Sequence, residues 1–177
     1  MEPREPGDGT KAITSLELLL DGAAEEAVRR EWDALAAAGL SSLAGHTAAS
    51  NRPHVTLAMR SSPVPHPFSI DAGLPIPIEL GPPLLFGSGE RRVLARAVVR
   101  SAALLALHAA VLRAAGEGDD PPHLLPGRWL PHVTLARRLR VVDLAAALAL
   151  LGPAIEARGV AVRRWDASIR VVTHVAP

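Results

Sequence analysis

The pentapeptide Pro-His-Val-Thr-Leu occurs twice in this chain, as Pro53-His54-Val55-Thr56-Leu57 and as Pro131-His132-Val133-Thr134-Leu135. In an extended strand, residues i and i+2 share a face and lie roughly 7 Å apart. Each copy therefore turns His and Thr one way and Val and Leu the other. Any fold that accepts both strands must bury two apolar faces. It must also leave two faces that each offer an imidazole beside a hydroxyl. If the strands are neighbours, two imidazoles and two hydroxyls converge on one cleft.

That set of groups suits phosphodiester chemistry. Opening a cyclic phosphate takes a base to deprotonate the attacking oxygen and an acid to protonate the leaving oxygen. Imidazole, with an unperturbed pKa near 6.5, fills either post at neutral pH. A threonine hydroxyl can donate to the non-bridging oxygens, where negative charge builds up. No metal is needed for these steps. A lone His-x-Thr is ordinarily a surface pair, and a duplicated structural hairpin is the plainer explanation of the repeat. Two copies, each in an apolar strand and each preceded by proline, favour the catalytic reading.

The rest of the chain supplies a core and excludes several other functions. Hydrophobic residues make up 49% of the 177, enough to bury a domain interior. With three Trp, two Phe and no Tyr, rows of stacking rings for single-stranded nucleic acid are not expected. The absence of cysteine excludes disulfides, thiolate metal sites and thiol nucleophiles. The start, MEPREPGDG, carries no secretory pattern, and no run is apolar enough to span a bilayer, so a cytoplasmic protein is expected. Residues 1–33 hold nine acids and four bases, a balance of −5, and the remainder balances at +6. That distribution fits a small anionic substrate better than a long track along nucleic acid.

Residues 1–10 read as a flexible tail, with one domain over 11–177. The pattern predicts a strand over 13–20 and a helix capped by Asp21 and closed near Gly39, with Val28, Trp32 and Leu35 on one face. A strand over 54–59 is followed by a Pro-rich irregular segment, 61–75. Two short apolar runs, 76–80 and 84–86, precede a strand over 92–99. Ser101 caps a helix to about Ala115, stopped by Gly116, and a loop fills 116–127. A strand over 132–137, a helix capped by Asp143 and reaching Leu151, and one or two strands between Val160 and Val175 complete the chain. The order predicts an α+β fold.

The two His-x-Thr-hydrophobic motifs, about eighty residues apart, resemble the 2H phosphoesterase superfamily. The approach to the second, Pro126-Gly127-Arg128-Trp129-Leu130-Pro131-His132, looks like the bacterial 2′-5′ RNA ligase-like proteins, also described as RNA 2′,3′-cyclic phosphodiesterases. So does the middle portion, Leu84-Leu85-Phe86-Gly87, Arg92-Val93-Leu94 and a helix with Leu104, Leu107 and Val111. The resemblance implies a bilobal 2H phosphoesterase fold, with two antiparallel sheets facing a central cleft and helices outside. It implies that His54 and His132 are the catalytic pair and that Thr56 and Thr134 hold the phosphate, without cofactor or metal. The implied substrate is an RNA 3′ end or a small cyclic-phosphate nucleotide, hydrolysed to a 2′-phosphate by a monomer with no membrane partner. The reverse reaction would be 2′-5′ RNA ligation. His132 is assigned as base and His54 as acid, a choice that the near-symmetry of the motifs leaves open. The first motif departs from the family: Ala58-Met59-Arg60 and a Pro-rich stretch stand where many members have a Phe-Leu-Gly-type turn.

Further candidates flank the motifs. Arg52 and Arg128, just before them, are placed to reach substrate phosphates. On a regular strand Arg138 shares the face of His132 and Thr134, whereas Arg137 looks the other way. His123 is a candidate for the cleft rim. His108 falls on the apolar stripe of its helix and reads as a satisfied internal histidine; His46 and His66 read as solvated loop residues. No His-x-x-x-His or Glu-linked spacing suggests zinc. The alternative from another functional class is a non-catalytic RNA- or nucleotide-binding protein that retains the cleft. A pure binder has no need of two titrating groups.

Overall fold

Among the described residues, seven strands and three helices follow one another in the mixed order that the sequence predicts. The computed structural model describes residues 13–65 and 70–176; the predicted tail, 1–10, and His66 lie outside them. Strand β1 (Thr14–Leu20) is buried along its whole length, as befits a strand with neighbours on both edges. Asp21 then caps α1 (Gly22–Ala37), its carboxylate accepting from the Ala24 amide at 3.0 Å. Ala24, Val28, Trp32 and Leu35, at helical spacing, form the buried stripe of α1. Strands β2 (His54–Arg60), β3 (Ile76–Phe86) and β4 (Arg91–Val98) precede α2 (Ala102–Ala115), whose N-cap is Ser101. Strand β5 (His132–Arg140), the short α3 (Leu144–Ala149), β6 (Ile155–Asp166) and β7 (Val171–Ala176) complete the order.

Four local expectations change, the first being that β6 begins at Ile155, ahead of the expected Val160. The runs at 76–80 and 84–86 are one strand, β3, whose register on β4 slips between Leu80 and Pro83. Pro82 and Pro83 have no N–H for the ladder, so the strand bulges there rather than ending. Strand β5 continues to Arg140, past the expected end at 137. Asp143 does not cap α3 through its side chain; its carboxylate instead takes the Arg140 guanidinium at 2.7 and 2.8 Å.

Every strand pairing is antiparallel, and the order across the sheet is β2-β1-β6-β3-β4-β5, with β7 also on β6. The two expected sheets are thus two wings of one hydrogen-bonded ladder, and β6 splices them. Its first part, from Ile155, pairs with β3, its second part, to Asp166, pairs with β1, and Gly159 belongs to both registers. At 12 residues β6 is about twice a usual strand, long enough to serve both wings. A Cβ on Gly159 would lie 2.7 Å from a Leu18 methyl, so glycine lets β1 close on the splice.

The motif strands β2 and β5 end the ladder on opposite sides, yet they touch. The sheet therefore curls until its two ends meet. Val55, Leu57, Val133 and Leu135 are fully buried in a single hydrophobic cluster that draws on both wings. The helices cross over to cover it: α1 packs on β6 and on the second motif strand, and α2 packs on the first motif strand and β3. A buried ion pair fixes α1. Glu31 holds Arg96 of β4, with a 2.8 Å bond to its Nε, while Arg96 also donates to the Gly81 and Gly152 carbonyls. The loop after α2 is fastened to the end of β2 by Arg60, which donates to the Ala115 and Gly116 carbonyls and pairs with Asp120. Gly118 passes within 2.5 Å, measured from a notional Cβ, of that guanidinium, so no side chain fits there.

Candidate active site

The strand alternation that buries Val and Leu leaves His54, Thr56, His132 and Thr134 half-buried on the other face of their strands. Both rings are anchored in the same way. His54 Nδ1 lies 2.7 Å from the Arg52 carbonyl, and His132 Nδ1 lies 2.8 Å from the Leu130 carbonyl, each two residues back on its own strand. A carbonyl only accepts, so Nδ1 carries the proton in both rings. In the neutral state Nε2 keeps its lone pair, and in the charged state it carries a second proton. A ring fixed in that tautomer is ready to act as base or acid through Nε2.

The threonine backbone is held by a crossed pair of indoles. Trp32, on α1, donates from Nε1 to the Thr134 carbonyl at 3.1 Å, and Trp129, just before β5, donates to the Thr56 carbonyl at 3.2 Å. Each half of the chain thereby clamps the motif of the other. Trp129 also stacks on His108, with ring centroids 3.9 Å apart and planes within 9°. His108 is buried, is held by the Leu124 carbonyl at 3.0 Å, and has a pKa pushed below the ordinary imidazole value by that burial. It is the satisfied internal histidine expected from the helix pattern.

Beyond this symmetry the two imidazoles have different neighbours. His54 Nε2 is 3.6 Å from Oε1 of Glu17, a carboxylate of β1 that is only 4% exposed. Arg163 of β6 binds the other oxygen through Nε at 2.7 Å, and the Ser15 hydroxyl donates to Oε1 at 2.6 Å. Thr56, Glu17 and Arg163 are directly opposite one another across β2, β1 and β6. Burial alone would raise the Glu17 carboxyl. The charge of His54, the Arg163 guanidinium and the Ser15 hydrogen bond outweigh it and hold the group below the usual carboxylate range. His132 has no carboxylate beside it among the described residues. It packs against Phe86, with ring centroids 4.5 Å apart. Its pKa is below the ordinary value, chiefly because burial disfavours the charged ring, with the Leu130 carbonyl opposing and the charges of His123 and His54 adding to the depression.

The flanking candidates are placed unequally. His123 is exposed in a 3-10 turn, Pro122–Leu124, near enough for its charge to act on His132. Arg52 is engaged by Glu25 of α1, at 3.0 and 2.6 Å, rather than free to meet substrate. Arg128 is exposed. The reading of β5 as a regular strand fails at Leu135: Thr134 faces Ala95 and Ala136 faces Leu94, so one extra residue bulges out. A second irregularity follows at once, since Arg137 and Arg138 both fall between the pairs Ala136–Leu94 and Leu139–Arg92; between them Arg137 takes the cleft position expected of Arg138. Arg137 lines, with His54, Thr56, Glu17 and Arg163, a cleft of about 500 Å³. Both arginines are exposed, but Arg138 is not part of that wall. A larger hollow, about 610 Å³, lies elsewhere and is edged by Asp21, Glu79 and Glu156; Glu79 and Glu156 face each other across β3 and β6. Three carboxylates against the single Arg158 guanidinium leave its lining net negative and unsuited to a phosphate, which sets it apart from the cleft.

Glu17 and Arg163 escaped the sequence reading; Phe86 enters it only through the middle-portion resemblance, and Arg137 only as a residue facing away from the cleft. Glu17 did leave a signal, as the only charge within the otherwise apolar run of β1. Arg163 is paired to it only through a register that joins residues 17 and 163, and nothing local announces that.

The sequence profile of the 2′-5′ RNA ligase superfamily matches residues 24–168. No curated protein matches the chain. Among solved structures, it is similar to Usb1 of Kluyveromyces marxianus with uridine monophosphate, at 14% identity and a TM-score of 0.50, over 94% of this chain and 99% of that one. It is also similar to a second structure of Kluyveromyces marxianus Usb1, at 12% identity and a TM-score of 0.49, over 95% and 99%. At such identities the likeness concerns the fold.

Proposed function

The chain belongs to the 2′-5′ RNA ligase superfamily, and on that premise we propose that it is a metal-independent phosphoesterase hydrolysing a 2′,3′-cyclic phosphate, on an RNA end or a nucleotide, to a 2′-phosphate. One observation carries the reading. Two imidazoles on touching strands are each locked with Nδ1 on a backbone carbonyl, which leaves both Nε2 atoms for chemistry. The fold relative solved with uridine monophosphate supports a cleft of nucleotide size.

The different neighbours of the two rings support a division of labour. His132, kept neutral by burial against Phe86, takes a proton from water through Nε2. The oxygen attacks phosphorus, and the bond from phosphorus to the ribose 3′-oxygen breaks. His54, whose Nε2 lies 3.6 Å from the Glu17 carboxylate, gives its Nε2 proton to that leaving oxygen. The Thr56 and Thr134 hydroxyls donate to the non-bridging oxygens, and Arg137 balances the added charge. A 2′-phosphomonoester and a free 3′-hydroxyl result. With a ribose 5′-hydroxyl in place of water as the nucleophile, the same bond to the 3′-oxygen breaks and a 2′-5′ phosphodiester forms, which is ligation; the excess of water favours hydrolysis.

The test is turnover of a short RNA ending in a 2′,3′-cyclic phosphate, with EDTA present, by wild type, His54→Ala and His132→Ala. The expected result is a 2′-phosphate from wild type and loss of most activity in both folded variants. Activity that vanishes with EDTA and returns with zinc would overturn the metal-free scheme. A wild type inert on RNA and on cyclic mononucleotides would leave nucleotide binding as the function.

A further inference from the structure

Three tryptophans are all that this chain has, and two of them are accounted for. Trp32 and Trp129 are buried and donate to the motif threonines. Trp165 is half-buried on β6 and lines the cleft of about 500 Å³ together with Thr56 and Arg137. Its place is fixed by register. It faces Ser15 on β1, one alternation beyond the pair in which Arg163 faces Glu17, and thus shares their side of the sheet. Two strand spacings and one two-residue step separate it from Thr56, on the order of 12 Å. That is beyond the reach of the scissile phosphate's own oxygens.

Past Trp165 the chain turns into β7, and Arg170 closes the same cleft. Arg170 holds φ at 55°, the left-handed region that L residues with long side chains rarely occupy. It is exposed, and among the described residues neither it nor Arg137 is paired with a carboxylate. The opposite wall is the loop before β2, held in shape by the Asn51 amide, which donates to the Leu43 and His46 carbonyls at 2.9 and 2.8 Å. The cleft thus offers an aromatic surface flanked by two uncompensated guanidinium groups, at a distance from the imidazoles.

We propose that this extension is a subsite for the penultimate nucleotide of an RNA 3′ end, with its base against the Trp165 indole and its phosphate on Arg170. The natural substrate is then an RNA of two or more nucleotides, not a free cyclic mononucleotide. The subsite rests on the phosphoesterase reading only for which end of the RNA is bound. Stacking on one ring is tolerant of sequence, so no base preference is expected at this position.

The experiment measures binding of product-type ligands, which are not turned over: a uridine 2′-phosphate and a pentanucleotide ending in 2′-phosphate, on the full chain. Wild type is expected to bind the pentanucleotide roughly 5- to 100-fold more tightly than the mononucleotide. Trp165→Leu, which keeps bulk but loses the ring, should remove most of that advantage, and Trp165→Phe should retain most of it. A purely structural Trp165 would not distinguish the two by ligand affinity. Arg170→Gln should lower the slope of log affinity against log salt by about 0.7, the share of one single-strand phosphate. Equal binding of the two ligands by wild type, or a Trp165→Leu variant with its advantage intact, overturns the subsite. An inert enzyme whose pentanucleotide binding still depends on Trp165 sinks the hydrolase reading and leaves the subsite standing. An active enzyme with equal kcat/KM on mono- and oligonucleotides does the reverse.

Discussion

The two motif strands have the same five residues, the same alternation and the same anchor for the imidazole, yet their histidines sit in opposite surroundings. His54 looks onto a buried carboxylate with its own arginine. His132 lies against a phenyl ring and near two other imidazoles. A sequence repeat sets which groups share the polar face of each strand, while the strands alongside decide what those groups do with a proton. The carboxylate beside His54 comes from β1, and the phenyl ring beside His132 comes from the end of β3. The repeat itself specifies neither.

Breaking the comparison at its centre has the largest effect. His54→Ala and His132→Ala should each reduce kcat/KM by about 10²–10⁴, and the double variant should lose little more than the worse single one, because the two act in one step. Single-turnover kinetics on a cyclic-phosphate RNA reads this out. Next comes the bulge: Arg137→Ala should reduce kcat/KM by roughly 10–100-fold, within the range of lost charge stabilisation, while Arg138→Ala stays within a factor of about two. Equal effects would show that β5 keeps its phase in solution.

Removing the carboxylate tests the His54 side. Glu17→Gln strands the buried Arg163 and should cost about 3 kcal/mol in urea unfolding. The Glu17 carboxyl is held below its unfolded value of 4.5. Its contribution is therefore complete above that pH and is lost as pH falls through the lower, folded value. The variant should accordingly show a flatter loss of stability in acid than wild type. On the other side, Phe86→Ala opens His132 to water. As a base the ring works unprotonated, and burial now keeps it so below pH 6.5. The acid limb of kcat/KM should move up towards 6.5 in the variant. The smallest effects fall on the crossed clamps: Trp32→Phe loses one indole donor and should cost about 1–2 kcal/mol. Trp129→Phe should cost slightly more, since part of its stack on His108 goes too.

Most of the element order was legible because it is local. Asp21 and Ser101 are caps, the stripe of Val28, Trp32 and Leu35 has helical period, and His-x-Thr alternates like a strand. The apolar faces of the motifs are buried as the alternation demands. What could not be read is non-local. Arg137 displaced Arg138 because β5 is irregular against its partner strand β4, at Leu135 and again over Arg137 and Arg138. Asp143 abandoned its cap for Arg140, a neighbour with a stronger charge-assisted bond. Arg52 spends its guanidinium on Glu25, a contact between α1 and the loop before β2 that spacing does not reveal. The splice by β6 joins residues 14–20 with 159–166, a pairing set by the curl of the whole sheet.

That splice has a consequence for how the chain is made. On a ribosome β1 emerges early and its partner β6 only after Asp166, an interval of roughly 7–30 s at ~5–20 residues per second. Until then one edge of β1, a strand made mainly of leucine, has no native partner and is open to foreign pairing. β2 can close the other edge soon after it is synthesised, so the first motif is half-built long before the second exists. The nascent chain thus waits with an adhesive edge, and molecules that find each other before β6 arrives are lost to aggregation rather than to slow chemistry.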